Sequence, residues 1–202
     1  TLTFKFYADY ASAVDALKNH NIDGLSFLPK DLKDNLATRK DLNYYNLRLP
    51  QYIALFFNQA NNAALKELKV RQALAFGINK KDIVNQVLGA GEIIDGPIFS
   101  GTIGYHPNIK KYDYQPTEAQ TFLNAAGYVK KENESVRKKG DTELKIILTT
   151  VNKSENASVA NIISKMWAEL NIKVQLNLVD ANQMKEIIKN RSFEVLLFGE
   201  IL

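Results

Sequence analysis

The stretch that decides the fold runs from residue 144 to residue 198. It opens with Leu144-Lys145-Ile146-Ile147-Leu148-Thr149-Thr150 and returns as Lys173-Val174-Gln175-Leu176-Asn177-Leu178-Val179, where Val174, Leu176 and Leu178 alternate with Lys173, Gln175 and Asn177. It closes on Glu194-Val195-Leu196-Leu197-Phe198. Alternation with period two, and short apolar runs of this length, read as strands. Between the first two lies a helical pattern over 156–170, with Val159, Ile162, Ile163, Met166 and Leu170 spaced three and four apart. Asn171 suits a left-handed end to that helix. A shorter helix at 183–189 precedes the third strand. Connections of this length make the three strands of one sheet parallel. Their carboxy-terminal ends, at 150–152, 179–180 and 199–200, then share one edge, and open α/β sheets bind ligands outside that edge. Periodicity thus nominates three loops without saying what binds there.

Working back toward the amino terminus, 52–58 is strongly apolar (Ile53, Leu55, Phe56, Phe57) and reads as a buried strand. A helix over 65–76 follows, with Leu65, Leu68, Val70 and Leu74 inward. Asn79 is placed to cap a second helix over 80–88, with Ile83, Val84, Val87 and Leu88 on one face and Gly89 and Gly91 as its stop. Residues 89–111 form a long loop punctuated by Gly96-Pro97, Gly101, Gly104 and His106-Pro107; loops of that length are functional or wrap like a lid. Pro116 opens a helix to residue 126 whose inner face is Ala119, Phe122, Leu123 and Ala126, with Gly127 at its end. The first fifty residues read as a strand at 3–6, a helix carrying Ala13, Val14 and Leu17, a strand at 25–28, a helix over 30–38 opened by Pro29, and a strand at 43–49.

The chain of 202 residues is 46% apolar and 24% charged, the balance of a globular domain. No stretch approaches the roughly 18 apolar residues of a membrane helix. Cysteine is absent, which excludes disulfides, thiolate zinc sites and a cysteine nucleophile. The net charge is +4, and its densest cluster, Arg137-Lys138-Lys139, sits beside Gly140-Asp141 and reads as a solvated turn rather than a nucleic-acid patch. The chain starts as if in mid-fold and stops directly after an apolar run, so both ends are expected to be cut ends.

The order of signals from Pro50 onward resembles the family 5 extracellular solute-binding proteins, which serve peptide, dipeptide and nickel ABC importers. The residues carrying the resemblance are Tyr52 with Phe57-Asn58, Val70-Arg71-Gln72-Ala73-Leu74, and Ile78-Asn79-Lys80 with Asp82-Ile83-Val84. Looser matches are Gly96-Pro97, Tyr112-Asp113 with Pro116, Ala126-Gly127-Tyr128, Trp167, Leu170-Asn171-Ile172-Lys173-Val174 and Phe193-Glu194-Val195. The resemblance implies an α/β fold, a periplasmic-binding-protein-like lobe (type II, cluster C) with a mixed sheet flanked by helices. It implies that 1–51 belongs to a first lobe, 52–199 to the second, and 200–202 to a return crossing. It also implies an extracytoplasmic protein (periplasmic, or a cell-surface lipoprotein), with a peptide or other small solute and ABC permease subunits as partners. Membrane contact would then come only through an anchor or permease outside this chain.

By the same resemblance an extended peptide pairs with backbone near Phe198-Gly199-Glu200, by strand addition. Gly199 lets a ligand backbone approach, or merely ends a strand. Glu200 stands where relatives carry Trp, and either pairs with a cationic group or is an exposed carboxylate. Val151, Asn152 and Asn156 lie in the loop after the first parallel strand; Asn156 is alternatively a helix N-cap. Asp180 and Asn182 end the second strand, with Asp180 equally suited to capping. Tyr105 and Phe99 line the cleft wall or pack beneath their loop. Arg71 reads as a structural bridge to neighbouring carbonyls, and Trp167 as core or partly exposed packing.

No catalytic motif accompanies these residues. The spacing Gly89, Gly91, Gly96 follows a helix rather than a strand, against a dinucleotide fingerprint. No nucleophile elbow, phosphate loop or zincin motif occurs. His20 and His106 lie too far apart in sequence to suggest a metal site. No cofactor and no catalysis are expected. Two alternatives stand behind solute binding: an interaction or chaperone module reusing the fold, and an α/β hydrolase using Asp180 and Glu200.

Overall fold

A computed structural model describes residues 1–45, 51–88 and 91–201, without the side chains of Glu200 and Ile201. Gly89 as a helix stop, and most of the strand expected over 43–49, fall outside the described residues. The chain forms two compact units, Thr1–Arg48 and Leu49–Leu202.

In the first unit, helix α1 (Tyr10–Lys18) begins at Asp9, whose side chain accepts from the Ser12 amide at 2.7 Å. Val14 and Leu17 bury against Leu36 of a 3₁₀ turn at Lys30–Leu36. The strands expected at 3–6 and 25–28 are absent. Alternation alone does not make a strand; a ladder partner must satisfy the backbone, and no described segment of this unit supplies one. Leu2, Phe4 and Phe6 are accordingly exposed.

The second unit is built on a four-stranded mixed sheet in the order β1-β6-β4-β5. Its strands are β1 (Gln51–Phe57), β4 (Lys145–Val151), β5 (Lys173–Val179) and β6 (Val195–Ile201). Strand β1 runs antiparallel to β6, while β4 is parallel to both β5 and β6. The register Val151↔Val179 and Thr149↔Leu196 puts the carboxy-terminal ends of the three parallel strands on one edge, as the periodicity predicts. A small hairpin, β2 (Lys138–Lys139) with β3 (Thr142–Glu143), turns at Gly140.

Ile146, Leu148, Val195 and Leu197 face one side of the sheet and bury against α6 (Ser154–Glu169), α3 (Leu68–Phe76) and α5 (Pro116–Ala125). The centre of this core is Trp167, fully buried, whose Nε1–H donates to the Leu74 carbonyl at 3.0 Å. Each such fully buried large side chain contributes about 1.5–3 kcal/mol of transfer free energy. The opposite face is covered by α7 (Ala181–Asn190) over a smaller cluster of Val179, Met184 and Leu196.

Several local expectations change. The helix expected over 65–76 breaks at Glu67 (ψ 120°) into α2 (Ala63–Lys66) and α3, so Leu68 points outward, 59% exposed. Arg71 heals the break: its Nη1 donates to the carbonyls of Leu65 at 2.7 Å and Lys66 at 2.9 Å. Asn79 does cap α4 (Lys80–Ile83), but a π turn, Val84–Leu88, replaces its continuation. In β5 the alternation slips at its end, leaving Leu178 exposed and Val179 buried under α7. Arg137 is not solvated. It is buried, with Nε on the Leu170 carbonyl at 2.8 Å and Nη1 on Asn124 Oδ1 at 2.6 Å and the Tyr128 carbonyl at 3.0 Å. The Leu170 carbonyl is the C-cap group of α6, left unsatisfied by its own helix, while Asn124 stands in the last turn of α5 and Tyr128 just beyond that helix.

Candidate functional site

Strand β6 is paired on one side along its whole length, and its other side is not. With β1 it keeps register from Phe57↔Val195 to Gln51↔Ile201. With β4 it pairs only at Leu148↔Val195 and Thr149↔Leu196. The amino end of that short ladder is fastened by Glu194, whose Oε2 accepts from the Ile147 amide at 2.7 Å and from Asn62 Nδ2 at 2.9 Å. At its far end the Leu197 carbonyl accepts from the Thr150 hydroxyl at 2.9 Å.

Alternation fixes where the remaining backbone groups point. The Glu194 carbonyl accepts from the Asn58 amide, toward β1, and that of Leu197 is turned toward β4. Even-numbered residues of β6 therefore address β1, and odd-numbered ones the β4 side. The next odd residue is Gly199, where no described strand lies beside β6. Its N–H and C=O face an open strand margin on the edge where ligands of α/β sheets collect. A Cβ built on Gly199 would meet only the Tyr52 carbonyl oxygen at 3.6 Å and Ile53 Cγ1 at 3.9 Å, ordinary contact distances. Among the described residues nothing requires glycine there; what it provides is room beside the open margin.

The other nominated residues distribute around this edge. Phe198 is half-buried in the α7-side cluster, and Gly199 is exposed. Glu200 pairs with Tyr52 through the strand register. Val151 and Asn152 turn away from β6: the Val151 carbonyl accepts from the Lys153 amide at 2.8 Å, and the Asn152 amide donates to Val179 at 2.7 Å. The exposed Asn152 side chain stands at the edge. Asn156 is not the N-cap of α6; Lys153 occupies that position, and Asn156 lies half-buried in the first turn. The Asp180 carboxylate is engaged in a capping box, its Oδ1 accepting from the amides of Asn182 at 2.8 Å and Gln183 at 2.9 Å. Asn182 lines, with Val179, Glu186 and Ile187, an open concavity of about 500 Å³ on the α7 side.

The long loop reaches the same region. Phe99 meets Tyr52 edge-on, with ring centroids 5.9 Å apart. Tyr105 is 43% exposed and its amide donates to the Thr102 carbonyl at 3.2 Å, beyond a turn built on left-handed Gly101 and Gly104. Lys80 fastens the loop base by an ion pair to Asp95 at 2.6 Å, with Lys111 at 3.7 Å. The Lys80 hydrogen bond holds the Asp95 carboxyl below the usual aspartate range, against the opposing effect of burial. Thr150 falls within the 150–152 strand end nominated from sequence but is not singled out there as a contact residue, and Tyr52 enters there only through the family resemblance. The signal for Thr150 was a polar pair, Thr149-Thr150, inside an otherwise apolar strand: a buried hydroxyl needs an acceptor. Among the described residues no group of three or more His, Asp or Glu is placed to hold a metal ion, and no helix is long and apolar enough to cross a membrane.

A mixed α/β lobe with one open strand margin on its carboxy-terminal edge is the frame of a ligand-binding domain. The chain belongs to the bacterial extracellular solute-binding proteins, family 5 Middle, whose family model matches residues 1–201. It is 25% identical over 210 residues to the oligopeptide-binding protein AppA of Bacillus subtilis, covering 98% of this chain and 37% of that protein. It is 26% identical over 183 residues to the nickel-binding periplasmic protein of Escherichia coli, covering 87% and 34%. The crystal structure of AppA from Bacillus subtilis with a nonapeptide superposes with a TM-score of 0.81 at 22% identity, over 96% of this chain and 39% of that one. The periplasmic oligopeptide-binding protein of Thermotoga maritima gives 0.82 at 18% identity, over 96% and 39%. These likenesses show the fold, a periplasmic-binding-protein lobe. The chain spans a little over a third of the length of those relatives. The family consists of extracellular solute-binding proteins rather than enzymes.

Proposed function

We propose that this chain belongs to the solute receptor of an ABC importer, outside the cytoplasm, and that its solute is a peptide held between two lobes that close over it. Residues 52–199 would form the greater part of the second lobe and 1–51 part of the first. The observation that carries the reading is the open margin of β6 at Gly199. An extended main chain laid there meets a backbone donor and acceptor whatever its sequence. Asn152 and Asn156 supply further amide donors and acceptors from the loop after β4. Glu200, at the same edge, would meet a cationic group of the peptide. Tyr105 and Asp180 with Asn182 would line the periphery. The oligopeptide-binding relatives support a peptide. A nickel-binding relative makes metal complexes the outcome to exclude.

Native mass spectrometry of the full-length protein, followed by calorimetric titration with the co-purified species, tests this. A peptide that binds stoichiometrically supports the reading. A co-purified metal chelate, or no affinity for any short peptide, overturns it.

A further inference from the structure

Thr150 has two strand neighbours and treats them differently. Its backbone pairs with Leu178 in β5. Its side chain crosses to the other neighbour and donates to the Leu197 carbonyl at 2.9 Å, fully buried. In an uninterrupted parallel ladder that carbonyl would accept the amide of Val151, one step beyond the last pair, Thr149↔Leu196. Strand β4 closes its own side as well, since the Val151 carbonyl accepts from the Lys153 amide. Both carbonyls bordering the gap are thus satisfied within the chain, so neither draws the strands together. A buried hydroxyl without an acceptor is costly, and valine would fill nearly the same volume in this apolar strand. What the hydroxyl adds is the bond that stops the ladder.

We propose that Thr150 is a positioning residue for the solute: by capping Leu197 it ends the β4–β6 ladder before Gly199 and keeps the Gly199 N–H and C=O available to an extended main chain. Thr150 itself is shielded and touches no solute. This rests on the reading that the open margin receives the solute, and it adds the device that holds the margin open. Without the hydroxyl, the Leu197 carbonyl captures the Val151 amide, and β6 is drawn toward β4 at the place the solute would enter.

The test uses the full-length protein with Thr150→Val and Thr150→Ser. Two quantities are measured: amide hydrogen exchange at Val151 and Gly199 without ligand, and affinity for tri-alanine and an alanine-rich pentapeptide. In Thr150→Val the Val151 amide is expected to become protected, and peptide affinity to fall about tenfold, the worth of one or two lost hydrogen bonds. Thr150→Ser, which keeps the hydroxyl, is expected to stay within about threefold of wild type by the same measure. Unchanged exchange in a folded Thr150→Val overturns the inference. So does an equal loss in both variants, which would mark general destabilisation. If wild type binds neither peptide, the peptide reading fails while the exchange rates still decide the role of Thr150. Should Thr150→Val not fold, Thr150→Ala is carried through the same two measurements with the same criteria.

Discussion

The hydroxyl of Thr150 and the carbonyl of Leu197 meet at 2.9 Å where the β4–β6 ladder stops, two residues before Gly199. That bond lies in the buried core, and the next backbone groups of β6 on that side lie in the open. One contact therefore borders both the packed interior and the proposed binding margin, and variants on its two sides should separate stability from binding.

Gly199→Val lies on the binding side. The modest contacts awaiting a Cβ, at 3.6 and 3.9 Å, leave room for it, and a β-branched residue suits a strand. Stability is expected to change by less than about 0.5 kcal/mol. Affinity for peptide is expected to fall by about tenfold or more as the side chain crowds the margin. Thermal melting and calorimetric titration of the same preparation check the pair of outcomes.

Arg137 bears on stability alone, at the opposite end of β4, where its carbonyl accepts from the Leu144 amide. It is a buried cation held by the Leu170 and Tyr128 carbonyls and by the side-chain oxygen of Asn124. Burial lowers its pKa, yet an arginine stays charged. Arg137→Met strands these acceptors and is expected to cost about 2–4 kcal/mol. Arg137→Lys recovers only part of this, because one ammonium does not reproduce the guanidinium fork. Urea unfolding curves measure both.

Asp95 makes the attachment of the long loop sensitive to acid. Its folded pKa is depressed, first by the Lys80 hydrogen bond and also by Lys111. A depressed carboxylate contributes stability that is fully present above its unfolded value, about 3.9, and lost as pH falls through the lower folded value. Asp95→Asn is expected to destabilise by about 0.5–1 kcal/mol at neutral pH, the scale of a partly exposed ion pair. The gap from wild type should close as pH falls through the lowered folded value, below which both lack the charge. Melting temperatures of the two proteins across that range decide it.

The legible part of the fold was the part governed by local period. Strands β4 and β5 and helix α6 follow from alternation and three-four spacing within a single window, and their parallel arrangement follows from the connections. The same alternation at 3–6 produced no strand, because pairing depends on a partner elsewhere. Arg137 looked solvated because it precedes two lysines and a Gly-Asp turn, while its acceptors lie at two helix ends remote in sequence. Leu68 looked inward because Glu67 gives no sign that the helix breaks there. At the site, Gly199 and the loop after β4 were legible as an edge. The Thr150 bond was not, because its acceptor lies in a strand 47 residues away.

The single tryptophan reports on the core directly. Trp167 is fully buried, and its indole N–H caps the Leu74 carbonyl at 3.0 Å, near the end of α3. Just beyond that end stands Gly77, where a Cβ would come within 2.6 Å of Leu170 Cδ1, so α3 and the end of α6 are in close contact. Trp167→Phe keeps much of the apolar contact but removes the donor and leaves a buried carbonyl short of a partner. It is expected to cost about 2–4 kcal/mol, combining a cavity with an unsatisfied acceptor. Gly77→Ala should cost a comparable amount, about 1–3 kcal/mol, by forcing Leu170 out of place. If the two act through the same contact, the double variant will lose less than the sum of the single losses. Strict additivity in a denaturation cycle would show instead that the indole bond and the close approach at Gly77 are independent fastenings.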